Sequence, residues 1–141
     1  MARGKKFNKQ NTGKKAPSKK VQNIQVSQKQ YDFITCTADE VLYGGSAGSG
    51  KSYSILIDAY LYANQYAGSK QLILRETFPE LERSLILVSL TLYPEGFATY
   101  NGSDHKWYWY NGSIIEFGYL ENDTDVEKYQ SAEYDRIYFD E

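Results

Sequence analysis

Gly45-Ser46-Ala47-Gly48-Ser49-Gly50-Lys51-Ser52 is the stretch that decides how this chain is read. It satisfies G-x-x-x-x-G-K-[ST] at every position. A triphosphate must be met by several backbone N–H groups at once, and a glycine-rich loop lets the main chain curl that closely. The anion then lies at the start of a helix beginning near Gly50, where unsatisfied N–H groups and the helix dipole favour negative charge. Lys51 is expected to reach the β- and γ-phosphates of ATP, and the Ser52 hydroxyl to ligate Mg²⁺. At average residue usage, a chance match in a chain this long has odds on the order of 0.5%. A flexible Gly/Ser linker is therefore the lesser reading.

Working outward, Glu40-Val41-Leu42-Tyr43 reads as a brief strand entering the loop. Lys51–Tyr66 is apolar nearly all round a helical wheel, which predicts a buried helix stopped near Gly68. Gln71–Arg75 reads as a second strand. Thr77, with Glu80 three residues on, marks a helix start, and that helix should continue through Leu90 before Pro94. His105–Tyr110 and Ser113–Phe117 flank Asn111-Gly112, a hairpin signal in which both turn residues are expected at positive φ. Upstream, Ser27 is a candidate N-cap for a short helix that ends in Phe33-Ile34.

Arg136-Ile137-Tyr138-Phe139 reads as a strand ending in Asp140-Glu141, the form of a Walker B segment. An Asp at the carboxyl end of a sheet strand stands beside the phosphates and can hold Mg²⁺ directly or through water. The adjacent Glu141 would orient the attacking water and take its proton. Two solvated carboxylates after a strand are commonplace, and it is the upstream loop that favours the functional reading.

The remaining candidates are weaker. Gln30 has an amide that can pair with both the donor and the acceptor on adenine's edge, though an ordinary amphipathic helix explains it equally well. Arg75 and Arg83 are candidate arginine fingers, against the weightier reading of ion pairs with Glu76, Glu80 or Glu82. The Trp107/Trp109 and Tyr108/Tyr110 alternation reads as cross-strand packing before base stacking. His105 has no metal-ligand spacing partner and reads as structural.

Composition sets bounds on all of this. The chain has 141 residues and a formal net charge of −2. Yet residues 1–20 hold eight basic side chains and no acidic one, which leaves −10 for the rest. Residues 1–22 lack the apolar surface to offset ordering entropy and read as a disordered basic tail, either a solvated leader or a phosphate-neutralising arm. One cysteine excludes a disulfide framework and a Cys-based zinc site. No apolar stretch approaches the length of a membrane span, and no apolar run follows the basic start as in a secretory signal. The expected setting is cytoplasmic.

Taken in order, these elements resemble the N-terminal ATPase region of a tailed-bacteriophage terminase large subunit. The resemblance rests on Gln30-x-x-Phe33, Leu42-Tyr43-Gly44 leading into Gly45–Ser52, Leu74-Arg75-Glu76-Thr77-Phe78-Pro79-Glu80-Leu81, Asn111-Gly112-Ser113-Ile114-Ile115, Glu127-Lys128-Tyr129-Gln130-Ser131 and Arg136–Glu141. It implies a motor that hydrolyses ATP to drive double-stranded DNA into a procapsid in the host cytoplasm. The implied partners are a portal protein, a small terminase subunit and further copies of the full-length parent. It further implies a C-terminal nuclease domain, which the 141 residues do not include. Carried over by position, Lys51 and Ser52 bind phosphate and Mg²⁺, Asp140 is the Walker B aspartate, Glu141 the catalytic glutamate and Gln30 the adenine reader. Ala47 stands where many relatives place an arginine in the loop, so a finger would be Arg75, Arg83 or one from a neighbouring subunit.

The expected fold is α/β, a three-layer P-loop NTPase sandwich with an inserted antiparallel hairpin. Residues 23–141 would form a partial ATPase domain, incomplete at the carboxyl side. In related sheets the strand after Walker B lies between the loop strand and the Walker B strand; without it the sheet should show unpaired backbone there. Two other readings stand beside the motor: another P-loop ATPase of helicase-like type, or a nucleotide-binding fragment without catalysis.

Overall fold

The computed structural model describes residues 23–140. The basic tail and Glu141 lie outside the described residues. Ser27 caps helix α1 (Gln28–Thr35) through a capping box, its hydroxyl accepting from the Gln30 N–H while the Gln30 amide oxygen accepts from the Ser27 N–H. Helix α2 (Lys51–Gln65) starts at Gly50 and buries Ser54 to Ala59 and Ala63. Its far end turns outward at Leu61, and Gly68 then adopts φ +77° in the turn to the next strand.

Strand β1 (Lys70–Arg75) is followed by α3 (Phe78–Leu81), a π turn (Glu82–Ile86) and α4 (Leu87–Leu92). This near-continuous helical run ends two residues beyond the expected Leu90. Thr77 is extended at the N-cap, but its hydroxyl bonds the Glu80 carboxylate at 3.2 Å, not a backbone N–H. Then come β2 (Ala98–Asn101), β3 (Lys106–Trp109), β4 (Ile114–Tyr119), a 3₁₀ turn (Asp123–Val126), α5 (Glu127–Gln130) and β5 (Arg136–Phe139). The five-stranded sheet has the order β2-β3-β4-β1-β5. Strands β4, β1 and β5 run parallel, and β2 and β3 add an antiparallel flank.

Alternation along β1 assigns the two faces. Gln71 and Ile73 turn toward α2, where Gln71 donates to the Ala59 carbonyl at 2.8 Å. Ile115 and Phe117 of β4 and Tyr138 of β5 share that face with Leu56, Leu81 and Leu85. Trp107 and Trp109 are buried in the same cluster, stacked edge-on against Tyr93, so their alternation is packing. Leu72 and Leu74 face the other way. There Tyr129 of α5 lies against Gly118 so closely that a Cβ at that glycine would collide with the phenol.

Two expectations need correction, the strand at residues 40–43 and the hairpin turn, and the sheet's two faces are covered unequally. Residues 40–43 form no strand. A strand needs a ladder partner, and a groove of about 420 Å³ separates Val41, Leu42 and Tyr43 from β5. Among the described residues β5 pairs with β1 alone, leaving one edge open, with Ile137 and Phe139 exposed. The helical layers are also unequal. Helices α2, α3 and α4 cover one face, whereas the opposite face is met by Tyr129 of α5 and by Tyr134, whose hydroxyl bonds Glu116 at 2.9 Å, with no long helix over it among the described residues. Finally, the hairpin turn has positive φ at Gly112 alone (84°). Asn111 holds the turn with its side chain, donating to the Ala63 carbonyl at 2.7 Å and accepting from the Ser113 N–H at 3.0 Å.

Candidate functional site

The carboxyl ends of the parallel strands meet the Gly45–Ser52 loop. This is the edge at which open α/β sheets present side chains to ligands. The register of β1 and β5 pairs Leu74 with Phe139, and the Asp140 N–H bonds the Leu74 carbonyl at 2.8 Å. Arg75 and Asp140 are therefore neighbours on the face that carries α2. Arg75 Nη1 donates to Asp140 Oδ2 at 2.6 Å, and the Ser52 hydroxyl donates to the same oxygen at 2.7 Å. Asp140 is only 5% exposed.

The loop itself curls through Gly48 (φ +78°) and Gly50 (φ +76°), and the Ser49 N–H closes a turn on the Ser46 carbonyl at 3.2 Å. Lys51 Nζ donates back across the loop to the Gly45 carbonyl at 3.0 Å. Lys51 opens α2, so its backbone N–H is among the helix's first, which find no partner within the helix. The Ser49 hydroxyl is buried and finds no hydrogen-bond partner among the described residues.

Helix α1 braces this loop. The Gln30 amide nitrogen donates to the Gly50 carbonyl at 3.1 Å. Lys29 bonds the Gly44 carbonyl, and its ammonium sits 5.2 Å from the centre of the Tyr43 ring. Gln30 thus serves both the capping box and the loop, with one N–H and one oxygen lone pair left on its amide. Lys29 was not singled out in the sequence, where nothing distinguishes it from other surface lysines.

The two arginine candidates part company here. Arg75 has a side chain only 17% exposed, bonded to Asp140 and 3.8 Å from Glu80. Arg83 is exposed in the π turn, and its Nε bonds the Pro79 carbonyl of its own helix at 3.2 Å. His105 takes φ 54° and lays its ring on Phe78 at 5.0 Å between centres.

A second polar cluster lies deeper under α2. The Tyr138 hydroxyl donates to Asp58 Oδ2 at 2.8 Å, with Gln71 Oε1 a further acceptor at 3.1 Å. Arg136 Nη1 bonds the same Asp58 oxygen at 2.8 Å and stacks on Tyr62. Burial first, then the Asp58 charge, pushes the Tyr138 phenol well above its ordinary range. This cluster fastens β5 to α2.

Two oxygens of this site could take a hard divalent cation. Ser52 Oγ and Asp140 Oδ2 are adjacent oxygens of the kind Mg²⁺ takes. The buried Ser49 hydroxyl and the positive-φ glycines shape the neighbouring loop to approach an anion. No group of three or more His, Cys, Asp or Glu side chains suited to a metal occurs among the described residues. No helix among them is long and apolar enough to cross a membrane.

Residues 42–141 match the family described as terminase large subunit, T4likevirus-type, N-terminal. No curated protein and no solved structure gives a significant match.

Proposed function

This chain belongs to the terminase large subunit family, T4-like type, N-terminal region, and on that premise we propose that it is the ATP-binding and hydrolysing part of a phage DNA-packaging motor. The observation that carries the proposal is the 2.7 Å bond between the Ser52 hydroxyl and Asp140 Oδ2. It joins the last residue of the glycine-rich loop to the residue that follows β5. Loop and sheet edge are thereby brought to one place.

In this reading the amides of Gly45, Ser46, Ala47, Gly48, Ser49 and Gly50 cradle the phosphates, and Lys51 neutralises the β- and γ-phosphate oxygens. Ser52 and Asp140 would hold Mg²⁺, which when bound supplies charge neutralisation along the phosphate chain. Glu141, outside the described residues, would accept the proton of the water attacking the γ-phosphate in line. Gln30 keeps enough amide capacity to read adenine while bracing Gly50. The P-loop sandwich and the ATPase activity are supported by the loop sequence, the parallel β4-β1-β5 core and the Ser52–Asp140 contact.

The proposed partners are double-stranded DNA, a portal protein, a small terminase subunit and further copies of the parent subunit, acting in the host cytoplasm. A nuclease activity would belong to a C-terminal region beyond these residues. The test is nucleotide binding and turnover by the whole chain. Wild type should bind ATP, Lys51→Ala should not, and hydrolysis should rise with double-stranded DNA without phosphate transfer to a nucleoside monophosphate. Unchanged ATP affinity in Lys51→Ala overturns the loop assignment.

A further inference from the structure

The proposed function leaves Arg75 with a question of charge. Asp140 Oδ2 accepts two hydrogen bonds at once, from Ser52 Oγ at 2.7 Å and from Arg75 Nη1 at 2.6 Å. A carboxylate oxygen offers about two lone-pair sites, so both are in use. The guanidinium is brought there by the sheet register and is largely shut off from solvent, with its Nε buried and making no hydrogen bond among the described residues. A dication bound to Ser52 and Asp140, through Oδ2 or through the carboxylate's other oxygen, must share one negative charge with Arg75. It would place two positive charges beside a guanidinium in a site with little water to screen them.

Resting on the nucleotide-site reading above, we propose that Arg75 and Mg²⁺ compete for Asp140. Arg75 is then a built-in counter-ion that holds the aspartate until metal arrives with nucleotide. Two features make the exchange workable. Glu80, 3.8 Å from Arg75 Nε, offers a second carboxylate on α3, so the guanidinium has a partner when it leaves Asp140. Arg75 also ends β1 at the same sheet edge as the loop, so release frees a cation beside the phosphate cradle. Arg83, bonded to Pro79 on its own helix, has no such exchange open to it.

The exchange predicts that removing Arg75 makes metal binding easier, opposite to the effect expected of a simple phosphate-binding arginine. The experiment titrates Mg²⁺ into the full chain with a fluorescent, non-hydrolysable ATP analogue at fixed concentration, for wild type, Arg75→Gln and Arg75→Lys. Arg75→Gln should lower the half-saturating Mg²⁺ concentration by about tenfold, with Arg75→Lys in between. An unchanged or raised half-saturating Mg²⁺ in a variant that still binds the analogue overturns the competition and leaves the nucleotide site standing. No analogue binding by wild type overturns the nucleotide site, and the competition with it.

A second measurement needs no folded variant. In wild type, the ¹⁵N–¹H resonance of Arg75 Nε should move on adding Mg²⁺ with the analogue but not with the analogue alone. A resonance that ignores the metal rejects the exchange.

Discussion

The Ser52 hydroxyl donates to Asp140 Oδ2 at 2.7 Å across 88 positions of sequence, joining the head of α2 to the end of β5. Ser52→Ala removes one of the two bonds on a buried carboxylate. The expected loss is about 1–3 kcal/mol in urea denaturation, the ordinary cost of a hydrogen bond to a charged group. Its distinctive effect should be on metal: Mg²⁺-dependent ATP affinity falls while Mg²⁺-free affinity holds. Ser52→Thr, which keeps the hydroxyl, should restore both. Equal losses with and without Mg²⁺ would place Ser52 on the phosphates instead.

Gly48 and Gly50 share a left-handed backbone but differ in surroundings. An alanine at Gly48 meets nothing within 4 Å and incurs only the strain of positive φ, about 1–2 kcal/mol. At Gly50 the new methyl would also run into the Gln30 amide nitrogen. Gly50→Ala should therefore be the more destabilising, and Gln30→Ala in the same chain should recover the steric part. Chemical denaturation of the four chains in that cycle checks it, and strict additivity would mean that Gln30 and Gly50 do not press on each other.

What the sequence made legible follows from how local each feature is. The glycine-rich loop, the N-cap at Ser27 and the Asn111-Gly112 turn are patterns of a few residues at fixed spacing, and each appears where it was read. Asp140 was legible as the end of a strand. Its contact with Arg75 was not, because that depends on which strands lie side by side and in what register. The strand expected at residues 40–43 fails for the same reason, since propensity supplies a strand but only a neighbour supplies its ladder. Asn111 was read as a positive-φ residue from its dipeptide, whereas its side chain answers to Ala63 of α2, 48 positions away. Arg75 was weighed as a surface ion pair. The Glu80 contact exists, but the shorter bond goes to Asp140.

Tyr138 and Tyr93 make stability sensitive to alkali. Burial raises both phenols above their ordinary value of 10, and the Asp58 charge adds to each. A folded pKa above the unfolded one gives stability that is fully present below the unfolded pKa and lost as pH rises through the folded pKa. The urea midpoint should therefore stay level from neutral pH to about 9.5 and fall beyond it, where unfolded tyrosines ionise. Tyr138→Phe should cost about 1.5–3 kcal/mol at pH 8 by breaking the bond to Asp58, and should make the alkaline fall shallower. A variant with the same alkaline slope would show that Tyr138 does not govern it.

The open edge of β5 carries Phe139 at 71% and Ile137 at 49% exposure, facing Leu42 at 98% across the groove. Unpaired strand edges with apolar side chains template contact between chains. Phe139→Lys should reduce concentration-dependent association in sedimentation velocity. It should change monomer stability by no more than about 0.5 kcal/mol, since little of the ring is buried. Undiminished association in that variant would move the sticky surface elsewhere.

The charge split supplies the last prediction. Residues 1–20 carry eight cations and no anion, whereas the remaining residues are net acidic by ten. An acidic body binds a polyanion poorly by itself, so affinity for duplex DNA should depend on the basic segment. Each phosphate it neutralises contributes about −0.9 to the slope of log affinity against log salt, so full engagement would give a slope near −7. Deleting residues 1–20 should flatten that slope and weaken DNA binding at low salt. ATP affinity should stay as it was, because the loop is braced by Lys29 and Gln30 on α1, beyond the deletion. Fluorescence anisotropy with a labelled duplex across a salt series reads the slope directly. An unchanged slope in the deleted chain would assign DNA contact to the folded residues, against their net charge.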